Sequence, residues 1–365
     1  MAGPEIRDGG TARLKSGETM DVSIMEPPIV EPYSAFPRLY WWDDLRDKVL
    51  DGAYADSSLD RFFVGEVDGE IVGSILHSAP ADTRDVGLVE FVFTRPEHRS
   101  KGVMAHLLQA LTDDFRDEGG KMLHLCTINP IAADLYRKAG FVHHIGDGMR
   151  YLLPGNEDFD DTYLAYDGKG TVRAGAFGDI ARFAALYDNP RLDWFTRYYI
   201  PFVEWRVFSG FRFEGHFRRL FNDSESGAGH LLVLETEQRR AVAAASLNQA
   251  PSYHEQHVKV LSFISSPAYT HELGPLLEAV VEESKASGTE IVQTYLADFE
   301  EQKKEVLEGA GFEEEARLRN NLKLDGGRKA DLLVYVRELE GGGPLLRGPE
   351  QYYGGRPADL GLTGS

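Results

Sequence analysis

The stretch Val89-Glu-Phe-Val-Phe-Thr-Arg-Pro-Glu-His-Arg-Ser-Lys-Gly-Val-Met-Ala-His-Leu-Leu108 sets four basic side chains, Arg95, His98, Arg99 and Lys101, ahead of Gly102. Apolar residues then recur at 103, 104, 107, 108, 111 and 115, the spacing of one helix face. A helix start presents N–H groups that have no intrahelical partner, together with the positive end of the helix dipole. That combination suits a phosphate or pyrophosphate. Gly102 lets a ligand approach the backbone closely. Arg99 and Lys101 bring cationic charge, and Ser100, Val103, Met104 and Ala105 supply the rest of the cradle. On this stretch alone an ordinary solvated strand-to-helix loop is an equal reading.

A second segment, Asn129-Pro-Ile-Ala-Ala-Asp-Leu-Tyr-Arg-Lys-Ala-Gly-Phe141, reads as a strand-end Asn followed by a helix that carries Leu135 and Tyr136 and closes on Gly-Phe. Together the two segments resemble the GNAT superfamily of acetyl-CoA-dependent N-acyltransferases. The family pattern Q/R-x-x-G-x-G/A falls on Arg99, Gly102 and Met104, and the later pattern N-x-x-A-x-x-L-Y-x-x-x-G-F on Asn129, Ala132, Leu135, Tyr136, Gly140 and Phe141. The hairpin Val67-Asp-Gly-Glu-Ile-Val-Gly73 is similar to the family's second and third strands. The specific match runs over 61–141, and the resemblance implies the family fold over 10–155. Met104 departs from the pattern, which has Gly or Ala there, and is expected to crowd the turn beside the phosphates.

The chemistry so implied is acyl transfer from a thioester to an amine. An ammonium of pKa about 10 must lose a proton, the tetrahedral oxyanion needs donors, and the leaving thiolate, of thiol pKa about 8.5, needs a proton. Tyr136 keeps its phenol proton at neutral pH and by resemblance stands at the general-acid position; a tyrosine packed on the sheet is the alternative. Asn129 is assigned to the pantetheine arm by the same resemblance, with a plain helix N-cap as the alternative. Strand alternation places Glu90, Val92 and Thr94 on one face, which makes Glu90 the candidate base, or an exposed strand carboxylate. Strand N–H groups near Val92 would hold the oxyanion. Phe93, Thr94 and Arg95 are expected to pair by main chain with the pantetheine amides. His77, Asp85, His143 and His144 are further bases whose spacing proves nothing.

These groups need a strand, a turn and helices to hold them. The residues from Met1 to Glu18 read as a loose start and then an edge strand, and Pro32–Gly52 as helix. Arg61–Leu76 reads as a hairpin turning at Asp68-Gly69, and Val86–Phe93 as a further strand. A helix at Val103–Phe115 stops at Gly119-Gly120. Strand Lys121–Thr127, helix Pro130–Ala139 and closing strands in Val142–Leu153 follow. A second copy is legible in the intervals. Gly140-Phe141 recurs as Gly311-Phe312 and Pro96 as Pro267, each 171 positions on. Strands at 170–177, 230–236, 240–247, 258–264 and 291–296, and helices at 272–286 and 299–310, repeat the order.

The fold class expected is therefore mixed α/β (α+β). Two tandem GNAT-like domains would each be a mixed, mostly antiparallel twisted sheet flanked by helices. The expected division is a catalytic domain at 1–155, a linker at 156–170, a degenerate copy at 171–340 and a flexible Gly/Pro-rich tail at 341–365. The copy has Thr270-His-Glu-Leu273 or Ser265-Ser-Pro-Ala-Tyr269 where the first half has its basic turn, and Leu307 in place of the tyrosine. It would form one wall of the acceptor site.

Of 365 residues 42% are apolar, which excludes a disordered chain, and net charge is −20, which argues against nucleic acid and anionic membrane as partners. An acidic start and the lack of a long apolar run argue against a leader or a membrane span, and the single cysteine, Cys126, points to a cytoplasmic setting. Cys126 itself reads as a small hydrophobe on a buried strand. No metal spacing occurs, so acetyl-CoA is expected as acyl-donor substrate with no metal. The partner is expected to be a small-molecule amine, on a monomer or homodimer. The aromatic run from Trp194 to Phe211 reads as core or domain interface, and the acidic runs at 157–161 and 313–315 as solvated faces. Two other readings stay open: an acyl-CoA-binding sensor without turnover, and an acyltransferase or decarboxylase using another acyl-CoA.

Overall fold

The N-terminal residues form two strands. β1 (Glu5–Arg13) is the expected edge strand, and β2 (Thr19–Glu26), not anticipated, pairs antiparallel with it. The stretch read as helix over 32–52 is corrected. It holds 3-10 turns at Tyr33–Ala35 and Pro37–Leu39 and one short helix, α1 (Arg46–Leu50). Pro32 and Pro37 remove donors that a continuous helix needs. The hairpin of β3 (Ser58–Val67) and β4 (Glu70–Pro80) forms with Asp68 at φ 51° and Gly69 at φ 80°, both left-handed as a type I′ turn requires. β5 (Val86–Thr94), α2 (Val103–Asp117), β6 (Met122–Cys126), α3 (Pro130–Lys138), β7 (Val142–His143) and β8 (Gly148–Leu152) complete the first sheet.

The segment 156–170 is more than a loose connection. It contains α4 (Phe159–Thr162), and Phe159, Tyr163 and Leu164 are buried in the core. The second half follows with β9 (Thr171–Ala174), α5 (Asp179–Tyr187), α6 (Phe213–Glu225), β10 (Gly229–Glu235), β11 (Ala241–Gln249), β12 (Val258–Ser265), α7 (Gly274–Ala286), β13 (Ile291–Ala297), α8 (Glu301–Gly309), β14 (Glu313–Lys323) and β15 (Lys329–Glu338). The computed structural model describes residues 5–41, 45–187, 189, 213–323 and 327–339. Trp42, the aromatic run from Trp194 to Phe211 and the tail at 341–365 lie outside the described residues. Among the described residues no helix is long and apolar enough to cross a membrane.

The molecule is mixed α/β, with an eight-stranded sheet in the order β1-β2-β3-β4-β5-β6-β8-β7 and a seven-stranded sheet in the order β9-β10-β11-β12-β13-β15-β14. Apart from β1 the two orders match strand for strand. In each sheet a single pair is parallel, β5 with β6 and β12 with β13. α7 begins 171 residues after α2, and α8 begins 171 residues after α3.

α2 buries Val103, Met104, Leu107, Leu108, Leu111 and Phe115 against one face of the first sheet, each worth about 1.5–3 kcal/mol. Arg61, reaching from β3, ties that helix down through Asp114 at 2.8 Å and Glu118 at 2.6 Å. The other face is covered by the second half: α5 packs on β4 and β5 and also on β11. One apolar cluster therefore runs from Met25 in β2 to Leu339, through both sheets. The halves thus share a core, beside the separate core beneath α2.

Candidate active site

β5 is irregular where the chemistry was expected. Its pairing with β4 shifts register, Ser74 facing Phe93 while Leu76 faces Glu90, so Phe91 and Val92 together oppose Ile75. Phe91 sits at φ 47°, a strained conformation for a bulky residue and the mark of a β-bulge. β5 pairs with β6 only over Val86–Leu88 and Met122–His124, and beyond these residues the two strands part into a fork. The bulge also corrects the expected alternation. Val92 packs in the core beneath α2, whereas Glu90 faces the second half, so the two do not share a face.

The basic turn lies at the mouth of the fork. Ser100 (φ 63°) and Gly102 (φ 98°) are both left-handed, and a turn of this kind presents successive N–H groups to one side. Among the described residues no side chain caps α2, and its first N–H groups have no side-chain partner there. A Cβ on Gly102 would meet nothing closer than 3.9 Å; its positive φ is what demands glycine there. Arg99 is exposed and donates Nε–H to the Thr94 carbonyl at 3.2 Å. Lys101 pairs with Glu18 at 3.2 Å, and Ser16 followed by Lys101 holds the Glu18 carboxyl below its usual range. Such an exposed pair is weak and yields readily to a polyanion.

Arg95 and Met104 do not stand in this turn as the sequence pattern predicts. Arg95 leaves the cluster: its Nε–H is given to the Ile71 carbonyl at 2.6 Å, its guanidinium lies over the Phe36 ring at 5.4 Å, and its backbone N–H is given to Val72. Its Nε–H and its main-chain donor are thus engaged within the protein. Met104 does not crowd the turn, because helix geometry points it inward and it is 8% exposed in the core beneath α2.

α3 follows β6 and carries Tyr136 on that same α2 side. Its ring is buried 5.9 Å from Phe141, burial pushes the phenol pKa up, and among the described residues its hydroxyl makes no hydrogen bond. It can only be a proton donor near neutral pH. Asn129 caps α3, its Oδ1 accepting from the N–H groups of Ile131 at 3.0 Å and Ala132 at 3.4 Å, which leaves the Nδ2 donor for other work.

On the opposite face Glu90 accepts from Arg218 of α6 at 2.5 Å, with both side chains buried. That guanidinium lies over the rings of Phe91 at 4.7 Å and Trp41 at 5.7 Å, and these two rings stack at 3.8 Å. Tyr40 stacks on Phe93 at 4.7 Å, and Phe36 meets the same ring edge-on, so aromatics wall this side of the fork. Asp60 is buried on the same sheet face. It accepts from Ser78 at 2.6 Å, and desolvation raises its pKa to about 6 against the lowering effect of Ser78. Arg218 and Asp60 were missed by sequence reasoning; an arginine 128 positions from Glu90 carries no local signal.

Among the other bases, His77 is fully buried against Phe115, and burial lowers its pKa to about 4. Asp85 lies 3.6 Å from Lys121 on a loop, and His143 is exposed on β7. Cys126, expected buried, is half-buried at the end of β6, with its sulfur 3.4 Å from Nε2 of His124. Asp160 in the first acidic run is held bidentately by Arg150, while 313–315 is exposed as expected.

Residues 23–141 match the model of the acetyltransferase (GNAT) family. That stretch runs from β2 to the turn after α3, so the first half carries a GNAT acetyltransferase domain. Among curated proteins none matches the chain. Solved structures similar to it include a ribosomal-protein-alanine N-acetyltransferase from Brucella melitensis, 20% identical, covering 46% of this chain and 99% of that one with a TM-score of 0.39. Another is yncA from Salmonella typhimurium, solved with its cofactor acetyl-CoA, at 15% identity, 48% and 98% coverage and a TM-score of 0.41. A third is an N-acetyltransferase from Staphylococcus aureus, at 14% identity, 47% and 100% coverage and a TM-score of 0.40.

Proposed function

We propose that the first half transfers an acetyl group from acetyl-CoA to the amine of a small-molecule acceptor by direct attack. The observation that carries this reading is the uncapped start of α2, flanked by Arg99 and Lys101, at the mouth of the fork between β5 and β6. The pyrophosphate would lie on the N–H groups of Gly102, Val103, Met104 and Ala105, with Ser100, Arg99 and Lys101 around it. The pantetheine arm would follow β5 at Phe93 and Thr94 and meet Nδ2 of Asn129.

With the thioester in the fork, the acceptor approaches from the aromatic side and its nitrogen bonds to the carbonyl carbon. Strand N–H groups near Val92 take the developing oxyanion. Glu90 accepts the proton that leaves the nitrogen. The carbon–sulfur bond then breaks, and Tyr136, on the opposite face, gives its proton to the departing thiolate. The acidic surface suits a cationic acceptor. In this reading the second half, with Leu307 in the core and no basic turn, has lost cofactor chemistry and walls the acceptor site.

The test is release of CoA thiol from acetyl-CoA with a panel of amines, read alongside calorimetry of acetyl-CoA binding. Binding with amine-dependent release supports the reading. Binding without release from any amine leaves an acyl-CoA sensor instead. Release from malonyl-CoA alone points to a different acyl chemistry.

A further inference from the structure

Arg218 does more than cross between the halves. Its guanidinium bonds the Glu90 carboxylate at 2.5 Å and covers the ring of Phe91 at 4.7 Å, so one side chain grips two consecutive residues. The second of them opens the bulge: Phe91 holds the positive φ, and the register with β4 breaks just beyond Glu90, which still pairs with Leu76. A bulky residue at positive φ stores strain that the surroundings must hold in place. Trp41, stacked on Phe91 at 3.8 Å and itself 5.7 Å from the guanidinium, completes the cluster from the first half. α6 is anchored independently, since Phe217 and Leu220 lie in the shared core and Tyr54 donates to Glu225 at 3.1 Å. The arginine is thus delivered from a fixed helix onto the irregular part of β5.

We propose that Arg218, supplied by the second half, is a positioning residue for acyl transfer in the first half: it pins Glu90 together with the bulge residue Phe91 and thereby fixes the Glu90 carboxylate beside the fork. The inference rests on the proposed acetyl transfer. It gives the second half a task that needs no cofactor of its own. A planar, permanently charged side chain suits the place, because the same group must bond a carboxylate and sit against aromatic rings. The pyrophosphate of acetyl-CoA would sit at the start of α2, away from Arg218, so acetyl-CoA affinity is expected to depend little on this residue.

The experiment compares full-length wild type with Arg218→Met, Glu90→Gln and the double variant, by amine-dependent thiol release, calorimetry with acetyl-CoA and thermal melting. Arg218→Met is expected to lower kcat by about 100-fold, the scale on which misplacing a reacting group costs rate, with the acetyl-CoA Kd within about twofold. Added to Glu90→Gln it is expected to change kcat little further, since the two groups act as a unit. Unchanged kcat in Arg218→Met overturns the positioning role, as does an equal loss in both backgrounds. Should Arg218→Met melt at assay temperature, the double variant, which removes both members of the pair, carries the test against Glu90→Gln alone. Wild type that binds no acetyl-CoA overturns the proposed function as a whole; wild type that turns over while Arg218→Met turns over equally overturns only the role of Arg218.

Discussion

In the first half β5 and β6 part after Leu88 and His124, and β5 bulges against β4 at Phe91. In the second half β12 and β13 stay paired through Leu261 and Thr294, and the pairing of β11 with β12 runs without a register shift. Just past that point Lys303 of α8 fills the space. Its Nζ lies 3.5 Å from the Tyr295 carbonyl on β13 and 5.0 Å from the Phe263 ring on β12, and the residue is 1% exposed. Burial holds its pKa below the usual lysine range, with Glu300 opposing. α8 starts 171 residues after α3, so Lys303 stands where α3 has Ala132 and Glu300 where it has Asn129. The same strand order thus holds an open fork beside a basic turn in one half, and a fork bridged by the chain's own side chain in the other. A shared topology supplies the place for a cleft; a bulge and small residues decide whether it is one.

The sharpest test of that contrast is the proton donor. Tyr136→Phe is expected to lower kcat by about 10²–10⁴-fold, the range of a lost general acid, with acetyl-CoA affinity unchanged. Full turnover in this variant would remove the difference between Tyr136 and Leu307 as an argument about catalysis.

Charge at the helix start comes next. Arg99→Glu with Lys101→Glu is expected to weaken acetyl-CoA by about 100-fold, as the loss of charge-assisted bonds and their replacement by repulsion would. Calorimetry on wild type is expected to count one acetyl-CoA per chain. A second site that survives the double reversal would show that Lys303 does not close the other fork.

Much of this was legible in local pattern. The Asp68-Gly69 hairpin and α2 follow from turn chemistry and helical spacing, and the 171-residue interval anticipated the matching strand orders. What escaped is non-local. The bulge is carried by a phenylalanine, which gives none of the Gly or Asn signal of a positive φ, and so Val92 was assigned to the wrong face. The prolines at 32 and 37 outweigh an aromatic spacing that reads as helix. Arg218 reaches Glu90 only because α5 and α6 pack between the sheets, a placement that emerges from the shared core.

The two forks also differ in the titratable groups beneath them, and in the first sheet these act in opposite senses. Asp60 has its pKa raised from 3.8 to about 6, so its contribution is most favourable below pH 3.8 and is lost as pH rises through 6, about 3 kcal/mol in all. His77, lowered from 6.5 to about 4, contributes most above pH 6.5 and loses that contribution as pH falls through 4. Between pH 4 and 6 the two slopes oppose each other. Asp60→Asn is expected to gain stability over wild type as pH rises from 4 to 7, by up to about 3 kcal/mol in urea unfolding. A difference that stays constant across that range would mean that Asp60 titrates as an ordinary surface acid.

The smallest expected effect separates two jobs of one side chain. Asn129 caps α3 through Oδ1, whereas Glu300, at the matching place before α8, turns back to accept from the Ala297 N–H at 2.6 Å and leaves its helix without a side-chain cap. Asn129→Ala is expected to cost about 1 kcal/mol, the usual worth of an N-cap. Asn129→Asp keeps the cap, removes the Nδ2 donor and puts a negative charge in its place. Its melting temperature is therefore expected to match wild type while acetyl-CoA binds several-fold more weakly. If Asn129→Asp binds acetyl-CoA as wild type does, Asn129 is a cap alone, and the contrast between the halves at this position concerns helix stability and not the cofactor.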